Sequence, residues 1–153
     1  MSGEQRAGSR EQRPTVLDSR LFHGALALLR IVAALVLLQH ALQQLFGMLG
    51  GHMNSGNPSP TLSRSWWAGI ISIVGSPLVA LGLFTRPAAF VLSGLMATAY
   101  FWVHALDRGF FPVINRGEPA LLLCVIFFFV FAAGPGEYSL DARRDKRFAI
   151  RDS

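Results

Sequence analysis

The side chains able to do chemistry in this 153-residue chain sit inside long apolar runs. His40, with Gln43 and Gln44 one turn on, forms a polar patch. Ser93, Tyr100 and His104 stand seven and eleven residues apart, a spacing that puts all three on one face of a helix. Glu118 opens a further apolar run. Two imidazoles, a phenol and a carboxylate suit three tasks: hydrogen-bonding a quinone head group, relaying protons, or holding one metal ion. The spacing of two His and one Glu is too loose for a metal signature, so no metal is expected. A plainer reading stands beside these: His104 and Glu118 pair only to close one end of a bundle, since a carboxylate at a helix N-terminus is favoured by the dipole alone. Arg30 lies some nine residues, or about 14 Å, into the first apolar segment. An arginine at the centre of a span costs on the order of 2.5–3.5 kcal/mol by insertion scales. Either it reaches back to the head groups, or it faces inward and meets a carboxylate or an anionic ligand. Cys124, between Leu123 and Val125, reads as a small core residue. A single cysteine excludes an intramolecular disulfide and a cysteine-ligated cluster within this chain.

The elements that must position these groups follow from composition. The chain is 52% hydrophobic and 15% charged, with 12 Phe, where an average soluble domain is about 25% charged. The pattern predicts an all-α integral membrane four-helix bundle, with spans at 21–46, 66–84, 88–105 and 118–133. They form one transmembrane domain, 21–136, between a polar tail, 1–20, and a basic tail, 137–153. The first run is too long for a signal-peptide core of about 7–15 residues and lacks a cleavage site. Gly, Asn, Ser and Pro between Gly47 and Ser65 exclude a regular helix there, and Trp66 and Trp67 suit a membrane–water interface. The net charge of +5 reflects basic tails beside anionic lipid; no basic patch interleaved with aromatics points to nucleic acid.

Four spans place both tails and the Thr85–Pro87 turn on one side. That side holds Arg6, Arg10, Arg13, Arg20, Arg86, Arg143, Arg144, Lys146, Arg147 and Arg151, against Arg64, Arg108 and Arg116 opposite, which assigns the tails to the cytoplasm. His40, Tyr100, His104 and Glu118 then share one depth near the outer end. Arg86 and Asp141 share the inner side and form an expected structural ion pair. Ala68, Ser72, Ser76 and Ala80, and likewise Ala89, Ser93 and Ala97, recur every four residues, as helices in close approach require. Pro77 is expected to kink the second span. His23 and His52 are given no role.

The runs LLQHALQQLFG, LGLFTRPAA and FWVHALDRGFFPVINRGEPALLLCVIFFFVFAAGPGEYSLD, in that order and spacing, resemble the DoxX family of small membrane proteins from about Ser19 to Asp141. The resemblance implies a four-helix bundle in a bacterial cytoplasmic membrane and carries over Arg30, His40, Arg86, His104, Asn115, Glu118 and Asp141. It also implies association with membrane oxidoreductase or thiol, quinone and oxidative-stress systems. The chain departs from the family pattern at Gln44 for Lys, Ala41 for Gly, and Ser72 where many members carry Glu, which removes an obvious partner for Arg30.

The leading expectation is a small subunit of a quinone-linked redox or stress-response system, with no covalently bound cofactor. Quinone would be held by His40, Tyr100, His104 and Glu118, with Arg30 a further candidate, and Arg86, Asn115 and Asp141 would be structural. Partners are the lipid bilayer and a redox subunit or a second copy. The alternative is a non-catalytic scaffold or assembly factor working through the small-residue stripes. Four spans without an internal repeat fit a transporter less well.

Overall fold

In the first apolar run Leu26, Arg30, Ala33, Ala34, Leu37 and Ala41 recur at intervals of three and four, a single inward stripe on a long helix. The computed structural model, which describes residues 16–51, 55–106 and 109–151, forms that helix as α1, Val16–Phe46. Arg6, Arg10, Arg13, His52 and Arg108 lie outside the described residues. The helix α2 spans Arg64–Leu81, and α3 spans Thr85–Ala99 and runs on as a π-helical segment, Tyr100–Ala105. A single turn, α4, Pro112–Asn115, precedes α5, Glu118–Ala133, and the basic end of the chain forms α6, Leu140–Arg151. Among the described residues there is no strand.

The protein is an all-α membrane bundle built from two extensively packed pairs, α1 on α2 and α3 on α5, with lighter α2–α3 and α1–α5 contacts. Helices α1, α2 and α3 with its π segment are long and apolar enough to cross a membrane; α5 is apolar but shorter. Leu26, Leu37, Val79, Leu92, Leu123, Phe127 and Val130 fill the core. Leu28, Val32, Phe90, Val91, Leu122, Val125 and Phe128 are exposed around its girth. On a soluble protein so much apolar surface would drive aggregation; in a bilayer it meets acyl chains. Lipid gives helices no hydrophobic reason to associate, so close packing of small residues carries the contact. Ser72, Ser76, Ala89 and Ser93 are accordingly buried.

The bundle has two distinct ends. Among the described residues the loop end holds 47–51, 55–63, 106 and 109–117; the tail end holds 82–84 and 134–139. At the tail end α2 stops in a Schellman turn: the Gly82 N–H donates to Val79 O (3.1 Å) and the Leu83 N–H to Leu78 O (2.9 Å). Gly82 has φ +71, and a Cβ there would lie 2.5 Å from that of Ser139 and 2.9 Å from a guanidinium nitrogen of Arg30. Gly82→Ala combines left-handed strain with overpacking and is expected to destabilise the bundle by about 2–4 kcal/mol. Thermal unfolding in detergent measures this, and a variant as stable as the parent would contradict the close approach.

Candidate functional site

At the loop end α1, α3 and α5 leave a cavity of about 230 Å³. Helix α1 contributes Leu37, His40 and Gln44; α3 and its π segment contribute Met96, Ala99 and His104. Arg116 follows α4, and Pro119, Ala120 and Leu123 belong to α5. The walls are thus apolar toward the bundle centre, and the polar groups gather at one end.

The π segment decides which way His104 and Tyr100 turn. An i→i+5 turn winds less per residue than an α-turn, so from Tyr100 onward the helix turns His104 away from the line that Ser93 begins. They do different things. The Ser93 hydroxyl donates to Cys124 O at 2.9 Å and bridges α3 to α5. Tyr100 is 3% exposed, and its hydroxyl donates to Phe110 O in the loop. His104 alone of the three lines the cavity, its Nδ1 3.0 Å from Asn115 O. A carbonyl only accepts, so Nδ1 carries the hydrogen; in that tautomer Nε2 holds the lone pair that can accept from another donor.

Asn115 is the organiser of this end. It is fully buried (0%); its side-chain amide donates to Gly109 O at 2.7 Å, and its side-chain oxygen accepts from the Gly117 N–H at 2.7 Å. A Cβ at Gly117 would stand 2.7 Å from that oxygen and 2.8 Å from the Tyr100 ring, so only glycine lets this loop close. One buried residue, through its side-chain amide and its main-chain oxygen, therefore fixes the loop, the His104 ring and the entry to α5.

Glu118 stands apart. It is exposed in the first turn of α5, does not line the cavity, and makes no hydrogen bond or ion pair among the described residues. The pairing of His104 with Glu118 is replaced by His104 with the Asn115 carbonyl. Arg30 is also remote, ten residues or about 15 Å along α1 from His40. It faces the bundle interior, 1% exposed, and donates to Pro135 O and, at 2.8 Å, to Tyr138 O. The structure thus brings together His40 and His104 and adds Gln44 and Arg116; Tyr100 supports the loop behind them.

The expected Arg86–Asp141 ion pair is absent among the described residues. Asp141 instead accepts from the Phe84 N–H (3.0 Å), the Thr85 N–H (2.9 Å) and the Thr85 hydroxyl (2.8 Å), and so caps α3 from the start of α6. The reason is local: Phe84, at the N-cap position of α3, provides no side-chain oxygen, so the open N–H groups take a carboxylate from elsewhere. Arg86 lies exposed against Gly134. Residues Thr85, Arg86, Pro135, Asp141, Arg144 and Asp145 line a second cavity of about 510 Å³, where charges of both signs mix. His23, given no role by sequence, has Nε2 3.7 Å from Glu137. Among the described residues no three His, Cys, Asp or Glu side chains come together as a metal site.

The DoxX family model matches residues 25–105 of the chain. A protein of Haemophilus influenzae carrying the description "Uncharacterized protein" is 43% identical over 128 residues, covering 80% of this chain and 92% of that protein. No solved structure matches.

Proposed function

The chain belongs to the DoxX family, and from that premise we propose that it is a small subunit of a quinone-linked membrane redox or stress-response system, holding a quinone head group in the loop-end cavity. The observation that supports this reading is the convergence of His40, Gln44, His104 and Arg116 on one cavity with otherwise apolar walls. About 230 Å³ exceeds the roughly 150 Å³ apolar cavity known to hold benzene, so a single-ring head group fits. A quinone carbonyl takes a hydrogen bond from an imidazole or amide N–H, and a hydroquinone hydroxyl gives one to an imidazole lone pair. His104, with Nδ1–H spent on Asn115 O, suits the second task; His40, from α1, suits the first. The isoprenoid tail of a membrane quinone would leave along the apolar outer surface of the bundle. Electrons would come from a partner subunit. In this reading the protein sits in the bacterial cytoplasmic membrane, the tails face the cytoplasm as the arginine bias favours, and the cavity faces outward.

The scaffold alternative relies on the stripes of small residues. Ser72 and Ser76 are 2% and 1% exposed, taken up by the bundle's own packing, and offer a partner little surface.

Equilibrium dialysis of the detergent-purified chain with tetramethyl-p-benzoquinone tests the proposal. His104→Ala and His40→Ala should each weaken binding by about tenfold, the equivalent of one good hydrogen bond. His40→Ala should leave the unfolding temperature unchanged, and His104→Ala should cost about 1 kcal/mol for the bond to Asn115 O while the chain stays folded. Unchanged affinity in both variants would sink it.

A further inference from the structure

We infer that Arg116 makes the loop-end cavity selective for a ring carrying an ionised oxygen, an inference that rests on reading that cavity as a quinone head-group site. Arg116 lines the cavity with His40, Gln44 and His104. Neither Asp nor Glu is among the lining residues, and Arg116 has no carboxylate partner among the described residues. Arg116 is exposed and its charge solvated; a ligand with negative charge adds a direct partner that the wall itself does not offer.

The backbone carries the second observation. Arg116 has φ 58 and ψ 25, the left-handed region that glycine occupies freely and other residues occupy under strain. A glycine is next door, yet Gly117 has φ −88; it is there because Asn115 and Tyr100 leave no room for a Cβ. The position where backbone preference asks for glycine therefore carries arginine. Strain of this kind persists only when the surroundings impose it, and they do: the amide of Asn115 holds both flanks of the turn. The same residue accepts from His104 through its main-chain oxygen, so one buried residue fixes both the imidazole and the backbone from which Arg116 reaches the same wall.

Arginine narrows the ligand further. Its planar fork of N–H donors matches two neighbouring oxygens, where a lysine would present a point charge. A hydroxyquinone ionised at neutral pH has that arrangement, an oxyanion beside a carbonyl. A neutral para-quinone carries its oxygens at opposite ends of the ring, so it presents Arg116 one uncharged carbonyl at most, and its binding rests mainly on His40, Gln44 and His104.

The test compares trimethylhydroxy-p-benzoquinone, as its anion, with tetramethyl-p-benzoquinone, by equilibrium dialysis at neutral pH on the full chain in detergent. The parent protein should bind the anion about tenfold more tightly, one charge-assisted hydrogen bond's difference. Arg116→Gly and Arg116→Gln should both erase the preference by weakening binding of the anion about tenfold, with a much smaller change for tetramethylquinone. Arg116→Lys should keep part of it. Because glycine relieves the left-handed strain, Arg116→Gly should unfold at a temperature no lower than the parent. A preference that survives Arg116→Gly overturns the inference and leaves the quinone reading intact, as does loss of both ligands together with a lowered unfolding temperature, which marks Arg116 as structural. Should the parent bind neither quinone, the quinone reading fails and benzoate separates the two ideas. Benzoate binding abolished by Arg116→Gly keeps Arg116 as the selector of an anion, and benzoate that does not bind overturns it.

Discussion

Arg30→Leu is expected to destabilise the bundle by about 3–5 kcal/mol, a loss at the upper end for a single substitution. The guanidinium is 1% exposed and donates to Pro135 O and Tyr138 O, so it holds the segment that leaves α5 against α1. Hydrogen bonds involving a charged group contribute about 1.5–3 kcal/mol each. Leucine would remove both and leave two carbonyls facing an apolar side chain. Relief of the arginine's own desolvation works the other way, and full replacement of a buried ion pair by apolar groups can be neutral for that reason. Here only one side is replaced, so the orphaned carbonyls decide the sign. Arg30→Lys keeps the charge but cannot span both acceptors, and should recover less than half of the loss. Denaturation in mixed micelles, followed by fluorescence of Trp66, Trp67 and Trp102 at the other end of the bundle, measures the difference. A loss below about 1 kcal/mol, the ordinary size for a point mutation, would mean that the tail-end segment holds without Arg30.

How much of this is legible in the sequence differs from residue to residue. The helices are, because uninterrupted apolar runs ending in Gly, Pro or Asn have few other readings. The inward face of Arg30 is also written there: it falls at the core interval between Leu26 and Ala33, although hydropathy alone leaves open whether it reaches back to the surface. Its partners are not, because they are main-chain carbonyls more than a hundred residues away, and a carbonyl has no residue type to recognise. The same holds for His104, whose partner is the Asn115 carbonyl and not the Glu118 side chain. Period counting places Tyr100 and His104 together because it assumes an α-helix, and the π segment Tyr100–Ala105 breaks that assumption without a signature in composition. In the sequence Arg116 is only a charge on the outer side. Its place on the cavity wall depends on a left-handed turn that Asn-Arg-Gly does not announce, since glycine stands one position later than that backbone prefers.

Asp141→Ala is expected to cost about 2–4 kcal/mol, and the contribution it removes should itself vanish in acid. The carboxylate takes three donors at 2.8–3.0 Å from Phe84 and Thr85, and in doing so caps α3 and fastens α6 to the bundle. One cap is worth about 1 kcal/mol, and bonds to a charged acceptor add to it. Asp141→Asn retains one acceptor oxygen and should lose about half as much. Burial pushes this carboxyl's pKa up, but the Thr85 N–H, the Thr85 hydroxyl, the Phe84 N–H and the charge of Arg144 together outweigh it and hold the group below its ordinary value of 3.8. The folded state therefore binds the proton less readily than the unfolded chain, and stability rises with pH across that interval. The contribution is complete above the ordinary value and disappears as pH falls through the lower, folded one. Denaturation curves taken from neutral pH down into that acid window should converge for the parent and Asp141→Asn. A gap that stays constant with pH would show that the asparagine fails for shape and not for charge. A gap that widens in acid would reverse the sign and require the carboxyl to be protonated in the folded protein, where it could no longer serve all three donors.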